Sequence, residues 1–193
     1  MDFNIEKGDQ KRIVIVGGGF GGLELAKNLR KTGMQIVLID KHNYHQFQPL
    51  IYQVASAGME PSSISFPYRR IFQKYKNLYF RLAEVKQIDV KNKKVITSIG
   101  SVSYDYVVLA AGATSNFFGN KEIEKGSMAM KSLSEAARIR NTVLANIERA
   151  ITTEDPVFRQ ELLNIVVVGG GATGVELAGV MSEMKKTILP RDY

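Results

Sequence analysis

The chain has 193 residues, of which 45% are hydrophobic, so it is long enough for one good domain or two small ones. It contains no cysteine, which excludes a disulfide scaffold, thiolate metal ligands and a thiol relay within these residues. His42 and His45 lie in one segment with no matching ligands nearby, so we predict no metal site. No apolar run reaches the roughly 18 residues of a membrane-spanning helix. The polar N-terminus has no signal-peptide features, and a cytoplasmic location is therefore expected.

The formal net charge of +7 is concentrated in residues 67–94. This segment holds nine Lys or Arg residues against Glu84 and Asp89, while the rest of the chain has seventeen of each sign. Such a surface fits either an anionic lipid or ligand, or a solvated lysine-rich helix and hairpin. We favour the solvated interpretation. Nucleic acid is not an expected partner, because no nucleic-acid-binding module is recognisable.

The first predicted elements form a β-α-β unit over residues 11–40. The apolar run KRIVIVG is typical of a strand that is buried on both faces of a parallel sheet. A helix is expected from about Phe20 to Thr32, ended by Gly33, since glycine often follows the last turn of a helix. The run QIVLID then predicts a second buried strand that ends on Asp40.

The segment after this unit is less regular. Short helices are predicted in LIYQVASAG and PYRRIFQKY. Residues 78–98 alternate like antiparallel strands, with a hairpin turn at Lys91–Lys94. Tyr104–Gly112 predicts a further buried strand that ends in small residues, and a polar linker follows it.

After this linker, Ser132 and Glu135 form a capping box at the start of a helix. Its apolar positions recur at helical spacing and are predicted to pack in a core. They are Leu133, Ala136, Ala137, Val143, Leu144, Ile147 and Ile151. After this helix, NIVVVGGG predicts another buried strand and TGVELAGVMSEMKKTIL another helix.

Two segments of the chain repeat each other. Residues 13–26 and 165–178 are identical at ten of fourteen positions, at an offset of 152 residues. The first contains the spacing Gly17-x-Gly19-x-x-Gly22 between a predicted strand and a predicted helix, which is the context of a dinucleotide-binding loop. The first glycine allows the tight turn, the second a close approach of pyrophosphate, and the third close packing of helix on strand. The helix N-terminus would present N–H groups to the phosphates.

Asp40 completes this fingerprint, because it lies 23 residues after Gly17 at the end of the second strand. A carboxylate there can accept hydrogen bonds from both ribose hydroxyls and would repel a 2′-phosphate. The alternative is that Asp40 only caps a strand end.

The second repeat carries the same glycine spacing. Gly169, Gly171 and Gly174 follow the run IVVV and precede a helix. The strand that would carry the matching acidic ribose ligand is expected beyond Tyr193, which leaves a preference for NADH or NADPH open.

These two fingerprints resemble the two-dinucleotide-binding-domain flavoproteins. In that superfamily the first module binds FAD, and the second, inserted into the first, binds NAD(P)H. Tyr106–Ala113 is similar to the second FAD motif of the superfamily. The chain resembles in particular the type II NADH:quinone oxidoreductases, on the residues Asp40–Ala57, Gly169–Gly179 and Ile188–Tyr193. Ala172 departs from the pattern, where proline is expected.

The resemblance implies a fold and a reaction. The fold is α/β, with a Rossmann-like FAD-binding domain at residues 1–116, built on a parallel sheet and a small antiparallel sheet. The start of an inserted, truncated NADH-binding module is expected at residues 117–193. The reaction would pass hydride from NADH to FAD and electrons on to a quinone, without proton pumping, at the inner face of the cytoplasmic membrane. Related disulfide reductases and sulfide:quinone oxidoreductases use cysteines, which this chain lacks.

The resemblance also assigns residues to the FAD site. The pyrophosphate would be held by Gly17, Gly19, Gly21 and Gly22 of the first glycine loop. Asp40, Lys41 and Val85 would lie at the adenosine, and Ala111 and Gly112 would line the cofactor. Gln48, Pro49 and Leu50 would lie near the isoalloxazine.

In the second module, Gly169, Gly171 and Gly174 would begin the NADH site. Glu176 is similar to a family glutamate close to nicotinamide and flavin, and is the candidate catalytic residue. The alternative for Glu176 is a carboxylate stabilised by the dipole in the first turns of a helix.

The sequence leaves three classes of function open. The first is an enzyme whose activity is weak or lost through truncation. The second is a non-catalytic nucleotide-binding fragment that self-associates through an apolar strand face left exposed in the incomplete module. The third is an NADH oxidase or ferredoxin reductase of the same superfamily.

Overall fold

The computed structural model describes residues 3–192, and within that range the chain forms nine strands and eight α-helices. The strands are β1 (Arg12–Val16), β2 (Gln35–Asp40), β3 (Tyr44–Gln46), β4 (Ser65–Pro67), β5 (Leu78–Leu82), β6 (Val85–Asp89), β7 (Lys94–Thr97), β8 (Gly100–Ser103) and β9 (Tyr106–Leu109). The helices are α1 (Phe20–Asn28), α2 (Ile51–Ala55), α3 (Tyr68–Ile71), α4 (Lys121–Gly126), α5 (Leu133–Thr152), α6 (Pro156–Leu163), α7 (Ala172–Glu183) and α8 (Leu189–Asp192).

The described residues divide into two compact units. The first covers residues 3–46 and Ser65–Ala113, and the second covers Phe47–Ile64 and residues 114–192. All nine strands lie in the first unit, and the second is helical.

The main sheet of the first unit has four parallel strands in the order β5-β2-β1-β9. Side chains on successive residues of a strand point to opposite faces, and both faces of β1 and β2 are buried. On one face, Ile13 and Ile15 pack with Leu23 and Ala26 of α1. On the other face, Val14 joins a second core that includes residues of β7 and β8. The prediction of an α/β fold with a parallel sheet is confirmed.

Two details of this sheet differ from the sequence prediction. Leu78–Leu82 was expected in an antiparallel pair, but it pairs in parallel with β2, and only the residues after it form antiparallel strands. Tyr104–Gly112 was expected to be a buried strand, yet only Tyr106–Leu109 is extended, and Leu109 is 68% exposed. Since β9 pairs on one side only, with β1, it is an edge strand, and a periodicity argument cannot distinguish edge from centre.

One of the two small antiparallel sheets follows the prediction, whereas the β3–β4 pair was not predicted. β6, β7 and β8 form a three-stranded meander, and the turn between β6 and β7 contains Lys91–Lys93. β3 and β4 form a separate antiparallel pair, and residues 47–64 lie between them in the sequence. Helix α1 ends earlier than predicted, at Asn28, and continues as a 3₁₀ turn to Lys31 before Gly33 adopts a φ of +72°.

Helix α5 dominates the second unit and packs against α2 and α6. Its predicted capping box is present, because the Ser132 side chain accepts from Glu135 N–H and the Glu135 carboxylate accepts from Ser132 N–H. Leu133, Ala136, Val143 and Ile147 are buried as predicted, and Ala137 and Leu144 are half-buried. The prediction was wrong for Ile151, which is exposed in the last turn of the helix.

The predicted buried strand at 165–168 is absent. Residues 164–170 have no strand conformation, and Val166 is 83% exposed. A β-strand is stable only when its N–H and C=O groups bond to a neighbouring strand. Among residues 3–192, no strand pairs with this segment, so its apolar sequence does not produce a strand here.

A buried cation joins the N-terminal segment to the main sheet. The Arg12 guanidinium is 2% exposed and donates to Ile5 O at 2.8 Å, to Ser103 Oγ at 3.2 Å and to Gln35 Oε1. Because its donors are met by carbonyl and side-chain oxygens, the buried charge is solvated by the protein. Asp105 lies at the same edge and accepts from Arg12 N–H at 2.7 Å.

The acid sensitivity of the fold should depend on Asp105. The hydrogen bond from Arg12 N–H, together with the Lys7 ammonium at 2.9 Å, lowers the pKa of Asp105 to about 2. Since an unfolded Asp titrates near pH ~3.9, the ionised carboxylate contributes stability above about pH 4 and loses it as the pH falls toward 2. We expect Asp105→Asn to lower the free energy of unfolding at pH 6 and to flatten its decline at acid pH, measured by urea unfolding. The exposed Asp9→Asn is the control, and an equal pH profile in both variants would contradict the assignment.

Candidate functional site

The carboxyl ends of β1 and β2 bring the first glycine loop next to Asp40. The two strands pair with Val16 opposite Ile39, and Gly17 N–H continues the ladder by donating to Ile39 O at 2.8 Å. In open α/β sheets, ligands bind outside the carboxyl ends of the strands. The sequence-predicted loop and its acidic partner therefore lie together at the expected edge of the sheet.

Two glycines of this loop are required by its geometry. Gly17 has a φ of +99°, and a Cβ there would lie 2.3 Å from Ala110 O. A Cβ on Gly22 would lie 1.9 Å from Gly17 O. The first turn of α1 thus passes over the loop at a distance that excludes any side chain, as the glycine spacing predicts.

Gly19 and Gly21 have a different environment. Both are exposed, and a Cβ on either would have no heavy atom within 4 Å. Gly19 is the N-cap of α1, and the first helical hydrogen bond runs from Leu23 N–H to Gly19 O. The N–H groups of a first helical turn have no acceptor within the helix. Open space in front of them is the geometry that accepts a phosphate.

Asp40 connects the loop to the turn that follows β2. Its Oδ2 accepts from Gly18 N–H at 2.6 Å, and its Oδ1 accepts from His42 N–H at 2.8 Å. The carboxylate thus caps the strand end, which was the alternative interpretation of this residue. Because a carboxylate oxygen can accept two hydrogen bonds, Oδ1 keeps the capacity to accept from a ribose hydroxyl as well.

Sequence reasoning missed two residues that hold this loop. Tyr68 Oη donates to Gly18 O at 2.7 Å, and His45 Nδ1 lies 3.0 Å from the same oxygen. Tyr68 Oη also lies 3.4 Å from Asp40 Oδ2. Burial raises the pKa of Tyr68, and the charge of Asp40 raises it further, so the hydroxyl remains a donor. No local pattern in the sequence links residues 27 and 50 positions away from Gly18 to the loop.

The other predicted FAD residues of the first unit lie around the same edge. Ala111 is close to the loop, since a Cβ on Gly17 would lie 3.0 Å from Ala111 Cα. Gly112 is exposed, with a φ of +72°. Lys41 is exposed after β2, and Val85, at the start of β6, is half-buried.

The second glycine loop repeats the geometry of the first. Gly169 has a φ of +117°, a Cβ on Gly174 would lie 2.0 Å from Gly169 O, and Gly171 is the N-cap of α7. Val175 N–H donates to Gly171 O at 3.1 Å, as Leu23 N–H does to Gly19 O. The turn and the helix start are therefore present although the preceding residues are not a strand.

The remaining predicted residues also belong to the second unit. Glu176 is exposed on α7, two residues after Gly174. Gln48, Pro49 and Leu50 form a single 3₁₀ turn before α2; the first two are exposed, and Leu50 is half-buried.

The described residues also include an open cleft, but no cluster of metal ligands and no membrane-spanning helix. An open cleft of about 710 Å³ lies along β9, but it is lined by Ile13 and residues 104–108 at the amino ends of the strands, opposite the glycine loop. No cluster of three or more His, Asp or Glu residues that could hold a metal occurs within 3–192. In the same range, no helix has the length and apolarity needed to cross a bilayer.

The chain is similar in sequence and in fold to known proteins. Residues 11–190 match the pyridine nucleotide-disulphide oxidoreductase family. The type II NADH:quinone oxidoreductases Ndh and NdhA of Mycobacterium tuberculosis are 37% and 38% identical over 92% and 94% of this chain. A solved structure of NDH2 from Plasmodium falciparum in complex with NADH superimposes with a TM-score of 0.88 over 95% of the chain, at 23% identity.

The chain belongs to the pyridine nucleotide-disulphide oxidoreductase family. The predicted resemblance to type II NADH:quinone oxidoreductases is confirmed by its similarity to Ndh and NdhA. The chain spans 39% and 40% of the length of these two relatives, and 39% of the Plasmodium chain.

Substitutions at neighbouring glycines of α1 should have opposite effects on stability. Gly22→Ala places a methyl group against Gly17 O, and overpacking of this kind costs roughly 1–3 kcal/mol. Gly21→Ala meets open space and replaces a helical glycine, which stabilises by up to about 1 kcal/mol. Urea unfolding followed by circular dichroism measures both. Equal effects of the two variants would contradict the close approach of helix and loop.

Proposed function

We propose that this chain is the nucleotide-binding part of an FAD-dependent NADH:quinone oxidoreductase, with FAD bound by residues 1–116 and NADH by residues 117–193. The observation that carries the proposal is the first glycine loop, which lies at the carboxyl end of a parallel strand and is hydrogen-bonded to an acidic residue at the end of the next strand. That arrangement fits a dinucleotide with a free ribose 2′-hydroxyl.

The residues present fit FAD at the first loop. The exposed Gly19 and Gly21 leave room for pyrophosphate at the N-terminus of α1. Asp40 Oδ1 can accept from a ribose hydroxyl while Oδ2 holds the loop. Lys41 and Val85 would lie beside the adenosine, with Ala111 and Gly112 along the cofactor. Gln48 and Pro49 are proposed near the isoalloxazine.

The second loop supports the proposal for NADH. Gly169, Gly171 and Gly174 reproduce the phosphate-binding geometry. The Plasmodium NDH2 with a similar fold was solved in complex with NADH. Glu176, one turn into α7, is proposed to lie near the nicotinamide and to tune hydride transfer by its negative charge.

The electron acceptor is proposed from the relatives. Ndh and NdhA are named as NADH:quinone oxidoreductases, and the chain lacks the cysteines of a thiol relay. FAD, when bound, would supply the two-electron chemistry between NADH and quinone, and proton pumping is not part of the proposal. The protein would act peripherally at the inner face of the cytoplasmic membrane.

A second candidate function is nucleotide binding without turnover. Ile165, Val166 and Val168 are exposed apolar residues of an unpaired segment. Such a segment promotes self-association, which favours a fragment that binds nucleotide and associates with itself. Reduction of bound flavin by NADH separates the two candidates.

FAD binding is tested by the visible absorption of the purified protein and by anaerobic addition of NADH. We expect a flavin spectrum that NADH bleaches, and no flavin in Gly19→Val, because the side chain would fill the space for pyrophosphate. Gly126→Val is the matched control, since this glycine also faces open space but lies far along the chain in α4. Retained flavin in Gly19→Val would refute the placement of FAD. Flavin that NADH does not reduce would support the second candidate.

The role of Glu176 is tested by stopped-flow reduction of the flavin. We expect Glu176→Gln to slow bleaching by NADH roughly tenfold, which corresponds to about 1.4 kcal/mol of activation free energy, without a change in FAD affinity. Glu183→Gln, an exposed carboxylate on the same helix, is the control. Equal rates in both variants would favour the alternative, in which Glu176 only complements the helix dipole.

A further inference from the structure

The backbone N–H and the backbone C=O of Gly18 are both hydrogen-bonded to side chains that are distant in sequence. Asp40 Oδ2 accepts its N–H at 2.6 Å. Its carbonyl oxygen receives the Tyr68 hydroxyl at 2.7 Å and His45 Nδ1 at 3.0 Å. Since a carbonyl only accepts, His45 must carry its hydrogen on Nδ1.

Both donors are held in place by their own surroundings. Tyr68 is 2% exposed and His45 is 5% exposed. His45 lies in β3 opposite Phe66 of β4, and Tyr68 N–H donates to Asn43 O at 3.1 Å, so one hairpin-like pair positions both donors. The Tyr68 ring packs on Phe80, with centroids 4.9 Å apart.

Gly18 itself has no space for a side chain, because a Cβ there would lie 2.3 Å from Tyr68 Oη. The hydrogen bonds to Gly18 O therefore restrain the peptide group that links Gly18 to Gly19, the N-cap of α1. If this peptide rotated, the N–H groups that follow would change direction, and the phosphate-binding geometry would be lost.

We propose that Tyr68 and His45 are a pair of positioning residues that clamp the Gly18 carbonyl and so preorganise the first loop for its dinucleotide. The inference rests on the proposed binding of FAD at that loop. The two donors share one acceptor, so either alone leaves the carbonyl hydrogen-bonded. Only the loss of both leaves a buried acceptor without a partner, which carries a full desolvation penalty.

This shared acceptor predicts non-additive losses of affinity. We expect Tyr68→Phe and His45→Leu each to weaken FAD binding about threefold, and the double variant to weaken it roughly a hundredfold, well beyond the product of the single effects. Affinity is measured by titrating the apoprotein with FAD and following flavin fluorescence. Tyr104→Phe is the matched control, because Tyr104 is a buried tyrosine of the other core.

Two further arms separate a positioning role from a structural one. His45→Gln in the Tyr68→Phe background restores an N–H donor and should recover most of the affinity lost in the double variant. Hydrogen exchange of the Gly18 and Gly19 amides in the apoprotein should accelerate in the double variant, without equal acceleration in β1. Additive losses, or a loss of global stability with unchanged affinity and exchange, would overturn the proposal.

The exchange arm also distinguishes this proposal from the proposed function. If the wild-type protein binds no FAD, the cofactor assignment fails, while faster exchange at Gly18 in the double variant still demonstrates the clamp. If FAD binds and the double variant matches wild type in affinity and exchange, the clamp fails and the cofactor assignment stands.

Discussion

The parallel pairing of β1 with β2 is the constraint on which the site depends. Because Val16 lies opposite Ile39, both strands end at the same level of the sheet. The loop after the first strand then meets the carboxylate that ends the second, and Gly18 N–H bonds to Asp40. A shift of the register by one residue would separate them and would turn the buried side chains of a whole strand to the other face.

Asp40 joins the end of β2 to the first glycine loop. Its two oxygens accept backbone N–H groups on either side, which satisfies donors that the strand ends would leave without partners. The same bonds orient the carboxylate toward the loop. Capping and the proposed ribose contact are therefore compatible at this position, since a carboxylate has acceptor capacity for both.

The two glycine loops show which structural features depend on neighbouring residues and which depend on contacts between distant segments. Gly169 and Gly174 adopt the same close approach as Gly17 and Gly22, although residues 164–170 form no strand. The turn and the helix start are therefore local properties of the glycine spacing. The strand is not, because an apolar run becomes extended and paired only when a neighbour supplies its hydrogen bonds.

The sequence by itself determined the β-α-β unit, both glycine loops, the capping box at Ser132 and the acidic residue at the end of β2. These features depend on spacings of a few residues or on runs buried on both faces, and the missing cysteines followed from composition alone. The tertiary structure decided that Leu78–Leu82 joins the parallel sheet, that β9 is an edge, and that Tyr68 and His45 hold Gly18. Each of these is a contact between segments far apart in the chain. A single sequence does not encode such a contact in any local pattern, because its energy arises only when the strands have paired.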